Sequence, residues 1–355
     1  MADIDEILRV AAKRNASDLH LQVGLPPVLR IQTRLVPLEF ETLSAESVEQ
    51  LVFSIMNDGQ KATFRRQLDV DFSHAVPGVA RFRVNVFTQQ DSVAAAFRLI
   101  PHQIPTPEDL GLPLPVIELA QLKRGFVLFT GAAGQGKSTS LAALLDRINR
   151  ERRVHIITLE DPIEYIFQHR SSVVVQRELG KDMRDFASAL RVALREDPDV
   201  ILVGEMRDFH TVEAALTAAE TGHLVFATLH TATAAQSVDR IVDVFPPHQQ
   251  PQTRIQLAGV LQAVVTQQLI LRKDGSGLCL AVEFLRANAA VRNLIREAKT
   301  FQIQSVIQTG VAAGMITMES SLKALCDRGL LSEDDALDHA FDPREMARLL
   351  GRQRR

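Results

Sequence analysis

The sequence predicts an α/β protein of two domains, a small α+β domain at residues 1–100 and a larger domain at residues 116–355 built on a parallel sheet. Three observations predict this. The 355 residues suffice for two domains of ordinary size. Unbroken apolar strands alternate with helix patterns in the larger domain, which is typical of a parallel sheet covered on both faces. Five prolines in residues 101–115 mark a stiff interdomain linker.

The first domain reads as helix, strands, helix, strands. A helix is predicted at the start of the chain, where the spacing of Asp3 and Glu6 indicates a capping box. Short strands are predicted on both sides of the turn GLPP, and a second helix at residues 44–56. ARFRVNVF, residues 80–87, alternates apolar with polar side chains and predicts a strand with one buried face. A further strand is predicted at residues 92–100.

The larger domain begins with a clear alternation of elements. GFVLFT, VHIITLE, DVILVGE and HLVFATLH are predicted strands, separated by predicted helices. From about residue 253 onward the pattern predicts mostly helix, beginning with RIQLAGVLQAVVTQQLI at residues 254–270. We therefore expect a parallel sheet followed by a helical C-terminal part.

Composition narrows the classes of partner. A net charge of −3 gives no global basic field that would hold DNA or an anionic membrane. The two cysteines, Cys279 and Cys326, form no CxxC pair, so neither a structural zinc nor a disulfide framework is expected. No apolar run approaches the ~20 residues of a membrane helix, and the acidic N-terminus lacks the apolar core of a signal peptide. We expect a cytoplasmic protein that meets membranes only through partners.

Residues 131–139, GAAGQGKST, match the phosphate-binding P-loop pattern GxxxxGK[ST] and stand between a predicted strand and a predicted helix. The glycines let backbone N–H groups face phosphate oxygens, Lys137 neutralises the β- and γ-phosphates, and Ser138 offers its hydroxyl to Mg²⁺. The alternative is a glycine-rich turn without a ligand. The predicted nucleotide-binding residues are Gly131, Ala132, Ala133, Gly134, Gln135, Gly136, Lys137, Ser138 and Thr139.

Acidic residues follow two other predicted strands. Glu205 ends the apolar run DVILVGE, and because ligands of open α/β sheets bind at the carboxyl ends of strands, Glu205 is predicted to hold Mg²⁺ through water. Glu160, Asp161 and Glu164 form the acidic cluster TLEDPIE, from which we choose Glu164 to orient and deprotonate the attacking water. The alternatives are an exposed acid at the start of a loop and ordinary acids beside a helix N-terminus.

Histidines and arginines complete the candidate set. His223 and His230 bracket the strand in TGHLVFATLH, and by itself each is more often structural than functional. Arg81, Arg83 and Arg98 lie on predicted strands of the first domain. From a neighbouring subunit such a guanidinium can stabilise charge on the transferring phosphate. The alternative is a solvated strand face.

Together, these motifs resemble one family, the ATPases of type II secretion and type IV pilus systems, and within it the branch that drives pilus retraction. The resemblance covers nearly the whole chain through ASDLHLQVGLPPVLR, VPGVARFRVN, the P-loop, TLEDPIE, LREDPDVILVGEMRD, TGHLVFATLHT and AVRNLIRE. Extension ATPases typically carry an extra N-terminal domain and a four-cysteine zinc site, and we expect neither here. This favours the retraction branch.

The resemblance implies a ring-shaped hexamer, with an N-terminal PAS-like domain and a RecA-like ATPase domain in each subunit. It implies ATP and Mg²⁺ as ligands of Lys137, Ser138 and Thr139, Glu164 as the catalytic acid and Glu205 as the Walker B acid. It also implies further residues around the γ-phosphate: the histidines His223 and His230, and the small-domain arginines Arg81, Arg83 and Arg98.

The segment AVRNLIRE resembles the AIRNLIRE segment that marks retraction ATPases. The resemblance implies that it is needed for retraction but not for nucleotide binding. Val291 stands where the family usually has Ile, a mild exchange of β-branched residues. The predicted retraction segment consists of Ala290, Val291, Arg292, Asn293, Leu294, Ile295, Arg296 and Glu297.

The P-loop departs from the family pattern, which usually has Pro and Thr at its second and third positions and Ser at its fifth. Here these positions hold Ala132, Ala133 and Gln135. The glycines, Lys137 and Ser138 remain, so we expect nucleotide binding to survive. Gln135 is expected to add bulk beside the phosphates and thereby to affect the turnover rate.

We predict a hexameric motor that hydrolyses ATP, rocks its domains about the 101–115 linker and drives type IV pilus retraction. Its expected partners are copies of itself, an inner-membrane platform protein of the pilus and paralogous pilus ATPases, without nucleic acid or direct membrane insertion. Its expected location is cytoplasmic, at the inner-membrane base of the pilus machine.

Two other functions stay open. A nucleic-acid translocase normally shows basic or aromatic loops, whereas this chain has no Trp, one Tyr and a negative net charge. A retraction-accessory ATPase with little turnover is favoured by residues 132–135 and disfavoured by Lys137, Glu164 and Glu205.

Overall fold

The structure is a computed structural model that describes residues 3–14, 16–31, 34–100 and 104–352. By its internal contacts the chain forms two units, Met1–Gln103 with Glu164–Ile166, and Ile104–Ile163 with Phe167–Arg355. The first three residues of the predicted linker, 101–103, lie outside the described residues.

The first unit is built on a six-stranded sheet in the order β3-β2-β1-β6-β5-β4, in which every pairing is antiparallel. Three helices accompany this sheet. The strands are β1 Asp18–Leu21, β2 Val28–Ile31, β3 Arg34–Pro37, β4 Asp69–Val76, β5 Ala80–Gln89 and β6 Ser92–Ile100, and the helices are α1 Ile4–Lys13, α2 Ala45–Ser54 and α3 Asp58–Gln67.

Alternation in β5 gives the first unit its buried face. Phe82, Val84 and Val86 are buried while the residues between them are half-buried or exposed, as the sequence predicts.

The predicted capping box at α1 is wrong. Asp3 is the N-cap residue, but its side chain makes no capping hydrogen bond. The capping box lies instead at α3, a helix that the sequence pattern did not predict, where Asn57 caps the backbone.

The second unit is built on a seven-stranded sheet in the order β13-β12-β7-β11-β10-β8-β9. All pairings are parallel except that of β12 with β13. The strands are β7 Gly125–Thr130, β8 His155–Glu160, β9 Val173–Glu178, β10 Val200–Val203, β11 Leu224–Leu229, β12 Leu261–Leu271 and β13 Leu278–Arg286.

Helices cover both faces of this sheet, and β7, β10 and β11 are therefore buried along their whole length. Phe126 and Leu128 of β7 pack into one apolar cluster, and Val127 and Phe129 pack into another on the opposite face. The α-helices are α4 Leu114–Ile117, α5 Lys137–Glu151, α6 Phe186–Ala193, α7 Phe209–Glu220, α8 Ala234–Asp243, α9 Gln250–Val260, α10 Ala289–Arg296, α11 Ile303–Thr309, α12 Met318–Asp327, α13 Glu333–His339 and α14 Pro343–Leu349. The predicted α/β core with a parallel sheet is confirmed.

The helical prediction from residue 253 onward is wrong at two elements, Leu261–Leu271 and Leu278–Arg286, which are the strands β12 and β13. An apolar run of this length fits a buried strand or a buried helix, so periodicity alone cannot decide. Pairing decides, because β12 hydrogen-bonds with β7 on one side and with β13 on the other. Beyond β13 the expected helices are present as α10 to α14.

The described part of the predicted linker, 104–115, belongs to the second unit. Leu112 is buried in an apolar cluster of that unit, and Glu108 forms an ion pair of 2.5 Å with Arg147 of α5. This part of the stretch is therefore fixed on the unit that follows it.

Candidate nucleotide-binding site

The P-loop lies at the carboxyl end of β7, between this central strand and helix α5. Gly136, with φ of 78°, is the N-cap residue of α5, and Lys137 is the first residue of the helix. The loop tip, residues 132–134, is exposed, whereas Lys137 is only 7% exposed. Free N–H groups and the helix dipole give this end of α5 a partial positive charge, which suits an anion.

The ammonium group of Lys137 lies inside the loop. Its Nζ donates hydrogen bonds to the carbonyl oxygens of Gly131, at 2.6 Å, and Ala132, at 2.7 Å. It also lies 3.5 Å from Nδ1 of His230. An ammonium can only donate, so Nδ1 accepts in this contact and the proton of the neutral ring is assigned to Nε2.

His230 connects the lysine to the acid. Its Nε2 lies 3.2 Å from Oε1 of Glu205, whose other oxygen accepts a hydrogen bond of 2.7 Å from Arg207. The hydrogen bond from Arg207 and, to a smaller extent, the charge of Arg207 and the hydrogen bond from His230 hold the pKa of Glu205 below its usual value, although partial burial opposes them. Glu205 is therefore a carboxylate at neutral pH.

Strand order explains why these residues meet. β7, β11 and β10 are adjacent and parallel, and Gly131, His230 and Gly204 follow their last residues. Chain ends of adjacent parallel strands lie at one edge of the sheet, where ligands of α/β proteins bind. Glu205 is held nearby because the Gly204 carbonyl accepts a hydrogen bond from Thr228 of β11.

The acidic cluster follows β8, the next strand in the same row. Glu160 accepts hydrogen bonds from Thr158, at 2.6 Å, and from Gln176, at 3.1 Å. Asp161 is close enough for its charge to contribute to the raised pKa of Arg207, after the larger effect of Glu205. Glu164 is exposed and belongs to the segment Glu164–Ile166 of the first unit, so its catalytic role stays a prediction.

His223 does not join this cluster. It precedes β11, in line with the start of β7, whereas His230 follows the end of β11. Six strand residues separate the two edges by about 20 Å at ~3.3 Å per residue. His223 Nδ1 lies instead 2.9 Å from the carbonyl oxygen of Ala218. The two histidines therefore lie at opposite edges of the sheet within a subunit, and a role for His223 at the phosphates stays a prediction.

The three candidate arginines lie in the first unit. Arg81 donates to Ser73 at 2.6 Å, and Arg98 donates to Asp18 at 2.9 Å. Arg83 stands opposite Arg98 in the register of β5 and β6 and is exposed. Both Arg83 and Arg98 are accessible to a neighbouring molecule, but their part in catalysis stays a prediction.

The predicted retraction segment forms most of α10, with Val291 and Ile295 buried. Arg292 donates to the carbonyl oxygens of Ala258, at 2.6 Å, and Gly259, at 2.8 Å, in the last turn of α9. These carbonyls lack partners within their own helix, so Arg292 caps α9 from outside. Burial lowers the pKa of Arg292, and the charge of Arg296 adds to the effect.

Two contributions to the site were not identified from the sequence. Arg207 stands two residues after the acid in GEMRD, and its position beside Glu205 was the available signal. Gln267 donates a buried hydrogen bond of 2.8 Å to Ser140, in the first turn of α5. A helical prediction for residues 261–271 gives no sign of this contact.

In the described ranges, no group of three or more His, Cys, Asp or Glu has the geometry of a metal site, and no helix is long and apolar enough to cross a membrane.

A P-loop after the central strand of a parallel sheet, with a lysine, a histidine and a carboxylate aligned across neighbouring strands, defines a P-loop ATPase. Residues 1–310 match the family model of type II/IV secretion system proteins, and the chain belongs to this family.

Its relatives define the branch. The type IV pilus retraction ATPase PilT of Pseudomonas aeruginosa is 48% identical over 341 residues, 96% of this chain and 99% of the relative. The twitching motility protein of Neisseria gonorrhoeae is 49% identical over 321 residues, 90% of this chain and 86% of the relative. The crystal structure of the pilus retraction motor PilT with bound ADP matches with a TM-score of 0.92 and 49% identity, covering 98% of this chain and 100% of that chain. The chain is an ATPase of the pilus-retraction branch.

Proposed function

We propose that this chain is the subunit of a homohexameric ring that hydrolyses ATP and powers type IV pilus retraction. The observation that carries the proposal is the row of Lys137, His230 and Glu205 at one edge of three adjacent parallel strands. Phosphoryl transfer needs positioned cations, a carboxylate and an anion-binding helix end, and this row brings them together.

ATP would bind with its phosphates against residues 131–139. The exposed loop tip and the N-terminus of α5 offer backbone N–H groups, and Lys137 can turn its ammonium from the loop carbonyls towards the β- and γ-phosphates. His230 would then keep contact with both Lys137 and Glu205 and link phosphate occupancy to the state of the acid.

Mg²⁺ fits the oxygen donors at this edge. Ser138 offers a hydroxyl in the first turn of α5, and Glu205 is ionised because Arg207 keeps its pKa low. Hydroxyl and carboxylate oxygens are the ligands that Mg²⁺ prefers, and an indirect contact through water suits the Walker B position. When bound, the ion would neutralise charge on the β- and γ-phosphates.

Glu164 would orient and deprotonate the attacking water, as an exposed carboxylate that follows the same row of strands. Arg81, Arg83 and Arg98 would stabilise the transferring phosphate from the first unit of a neighbouring subunit. His223 would act at a different place in the ring, because it lies at the opposite edge of its own sheet.

Hydrolysis would rock a PAS-like first domain against the RecA-like second domain about the junction before residue 104, since residues 104–115 are fixed on the second unit. The retraction segment, held on α9 through Arg292, would pass this movement on without touching the nucleotide. The ring would act from the cytoplasmic side on an inner-membrane platform protein at the base of the pilus, together with paralogous pilus ATPases.

The test compares ATP hydrolysis by the purified chain with that of Lys137→Ala and Glu205→Gln. Both variants should lose at least about 100-fold in kcat/KM, because each removes a charge that acts in the transition state. Lys123→Ala and Glu213→Gln, exposed residues outside the row, are the matched controls and should keep full activity. Hydrolysis at the unmutated rate by either site variant would contradict the proposal.

Two further measurements decide between the remaining functions. Hydrolysis below about one turnover per minute would favour the accessory ATPase, since it lies well below the ordinary enzyme range of about 1 to 1000 turnovers per second. Stimulation by single-stranded DNA would favour a translocase. Deletion of the gene should leave cells hyperpiliated and unable to twitch, whereas cells without pili would indicate extension.

A further inference from the structure

The P-loop is supported from one side by a short segment of β12, Gln267–Leu269. β7 ends at Thr130, which pairs with Thr266, but β12 continues to Leu271. From Gln267 onward the edge of β12 that faced β7 has therefore no strand partner in this register, and its polar backbone groups need other contacts. The P-loop occupies this place.

Three close contacts join this segment of β12 to the P-loop and to the first turn of α5. At Gly131, a Cβ would lie 2.5 Å from the carbonyl oxygen of Gln267, so the loop backbone can approach the strand only without a side chain. At Gly136, the Leu269 side chain lies 3.1 Å from the place of a Cβ. The amide of Gln267 also donates to Ser140 of α5, at 2.8 Å.

The fourth contact comes from Gln135. Its Oε1 accepts a hydrogen bond of 2.5 Å from the backbone N–H of Leu269, two residues along the strand from Gln267. Backbone groups of residues two apart point to the same side of a strand, so Gln135 takes the place of the missing strand partner. Its side chain is thus directed to β12, which corrects the expectation that it adds bulk beside the phosphates.

We propose that Gln135 is a positioning residue for the nucleotide: by bonding Leu269 it holds the P-loop against β12 in the conformation that receives phosphate. The tip, residues 132–134, consists of small exposed residues, so its position depends on both ends of the loop. Gly131 lies close against the Gln267 carbonyl at one end, and Gln135 bonds the Leu269 N–H at the other end. The inference rests on the proposed nucleotide site at this loop.

Gln135→Met keeps the length of the side chain but removes the acceptor, and Gln135→Ser shortens the side chain out of reach. Each variant should raise the Kd for ADP and the KM for ATP by about 3- to 10-fold, the range expected for one lost hydrogen bond, with kcat within about twofold. The Leu269 amide should exchange faster with deuterium in both. Gln256→Met, on α9, is the matched control and should change neither quantity.

Unchanged KM and Kd in both folded variants would overturn the proposal, whether or not Leu269 exchanges faster. A lower melting temperature with unchanged KM would indicate a structural role only and would overturn it as well. Lys137→Ala separates this failure from that of the proposed site, because ADP binding at the unmutated affinity in that variant would mean that the nucleotide binds elsewhere.

Discussion

Glu283 predicts a dependence of stability on pH that can be measured on one substitution. The side chain lies on β13, is fully buried and accepts a hydrogen bond of 2.9 Å from the N–H of Ala234, the first residue of α8. Burial raises the pKa of Glu283 to about 7, and the charge of nearby Glu319 adds to this effect while the Ala234 N–H opposes it. Between pH 4.5 and about pH 7 the folded protein therefore holds a proton on Glu283 that the unfolded chain has lost.

The sign follows from the two pKa values, about 7 in the folded chain and 4.5 in the unfolded chain. Stability from the neutral acid is complete below pH 4.5 and is lost as the pH rises through about 7. The difference between the two values corresponds to about 3 kcal/mol. Glu283→Gln keeps the size and the acceptor for Ala234 but cannot ionise, so its stability relative to the natural chain should increase by about this amount between pH 5 and pH 8.5.

The assay is thermal unfolding of both proteins at fixed concentration and at steps across that pH range. Since about 3 kcal/mol corresponds to ~6 °C for a unit of this size, the Glu283→Gln protein should gain about this much in Tm relative to the natural chain, with most of the gain between the two pKa values of 4.5 and about 7. Glu213→Gln, exposed on α7, is the control and should give a constant difference. A difference that is flat for Glu283→Gln, or that grows towards low pH, would refute the reasoning.

Three further substitutions test the site and the retraction segment. His230→Ala should lower kcat/KM for ATP at least ~10-fold more than His223→Ala. The reason is that His230 contacts both Lys137 and Glu205, while His223 lies at the other edge of the sheet. Equal effects of the two substitutions in a steady-state assay would contradict this placement. Arg207→Ala should move the acidic limb of the pH–rate profile to higher pH, because the main cause of the low pKa of Glu205 is lost, and an unmoved limb would exclude this effect. Arg292→Lys should lower Tm by a few degrees, because about 1–2 kcal/mol of hydrogen bonding to α9 is lost. The same substitution should abolish retraction in cells and leave the KM for ATP unchanged. A raised KM would contradict the separation of retraction from nucleotide binding.

Much of the site could be predicted because its residues follow buried strands. Runs such as GFVLFT and DVILVGE are short, apolar and rich in β-branched or aromatic residues, which favours buried strands. The rule that ligands bind at the carboxyl ends of strands then brings the P-loop and Glu205 together. The same rule, applied to both ends of HLVFATLH, should have separated the histidines. His223 precedes the strand and His230 follows it, so only one of them can reach the ligand edge.

The C-terminal strands could not be predicted in this way. LQAVVTQQLIL fits a buried strand and a buried helix equally, and its partners β7 and β13 lie more than 100 residues upstream and a few residues downstream, respectively. A pattern that is local in sequence carries no information about the β7 pairing, which depends on the whole sheet. A helix over this segment would not place Gln267 beside Ser140 or Leu269 beside Gln135, so these contacts could not be predicted either.

The position of β12 also decides what Gln135 contacts. Without β12 beside the P-loop, a longer side chain at position 135 has only the phosphates as a neighbour, and bulk is then its sole expected effect. With β12 in place, the N–H of Leu269 stands where a strand partner is missing, and a glutamine reaches it. A serine at this position would be two side-chain atoms too short for the same bond. The glutamine in GAAGQGKST is therefore fitted to the far side of its own loop, and its effect on the nucleotide passes through the backbone of residues 131–136.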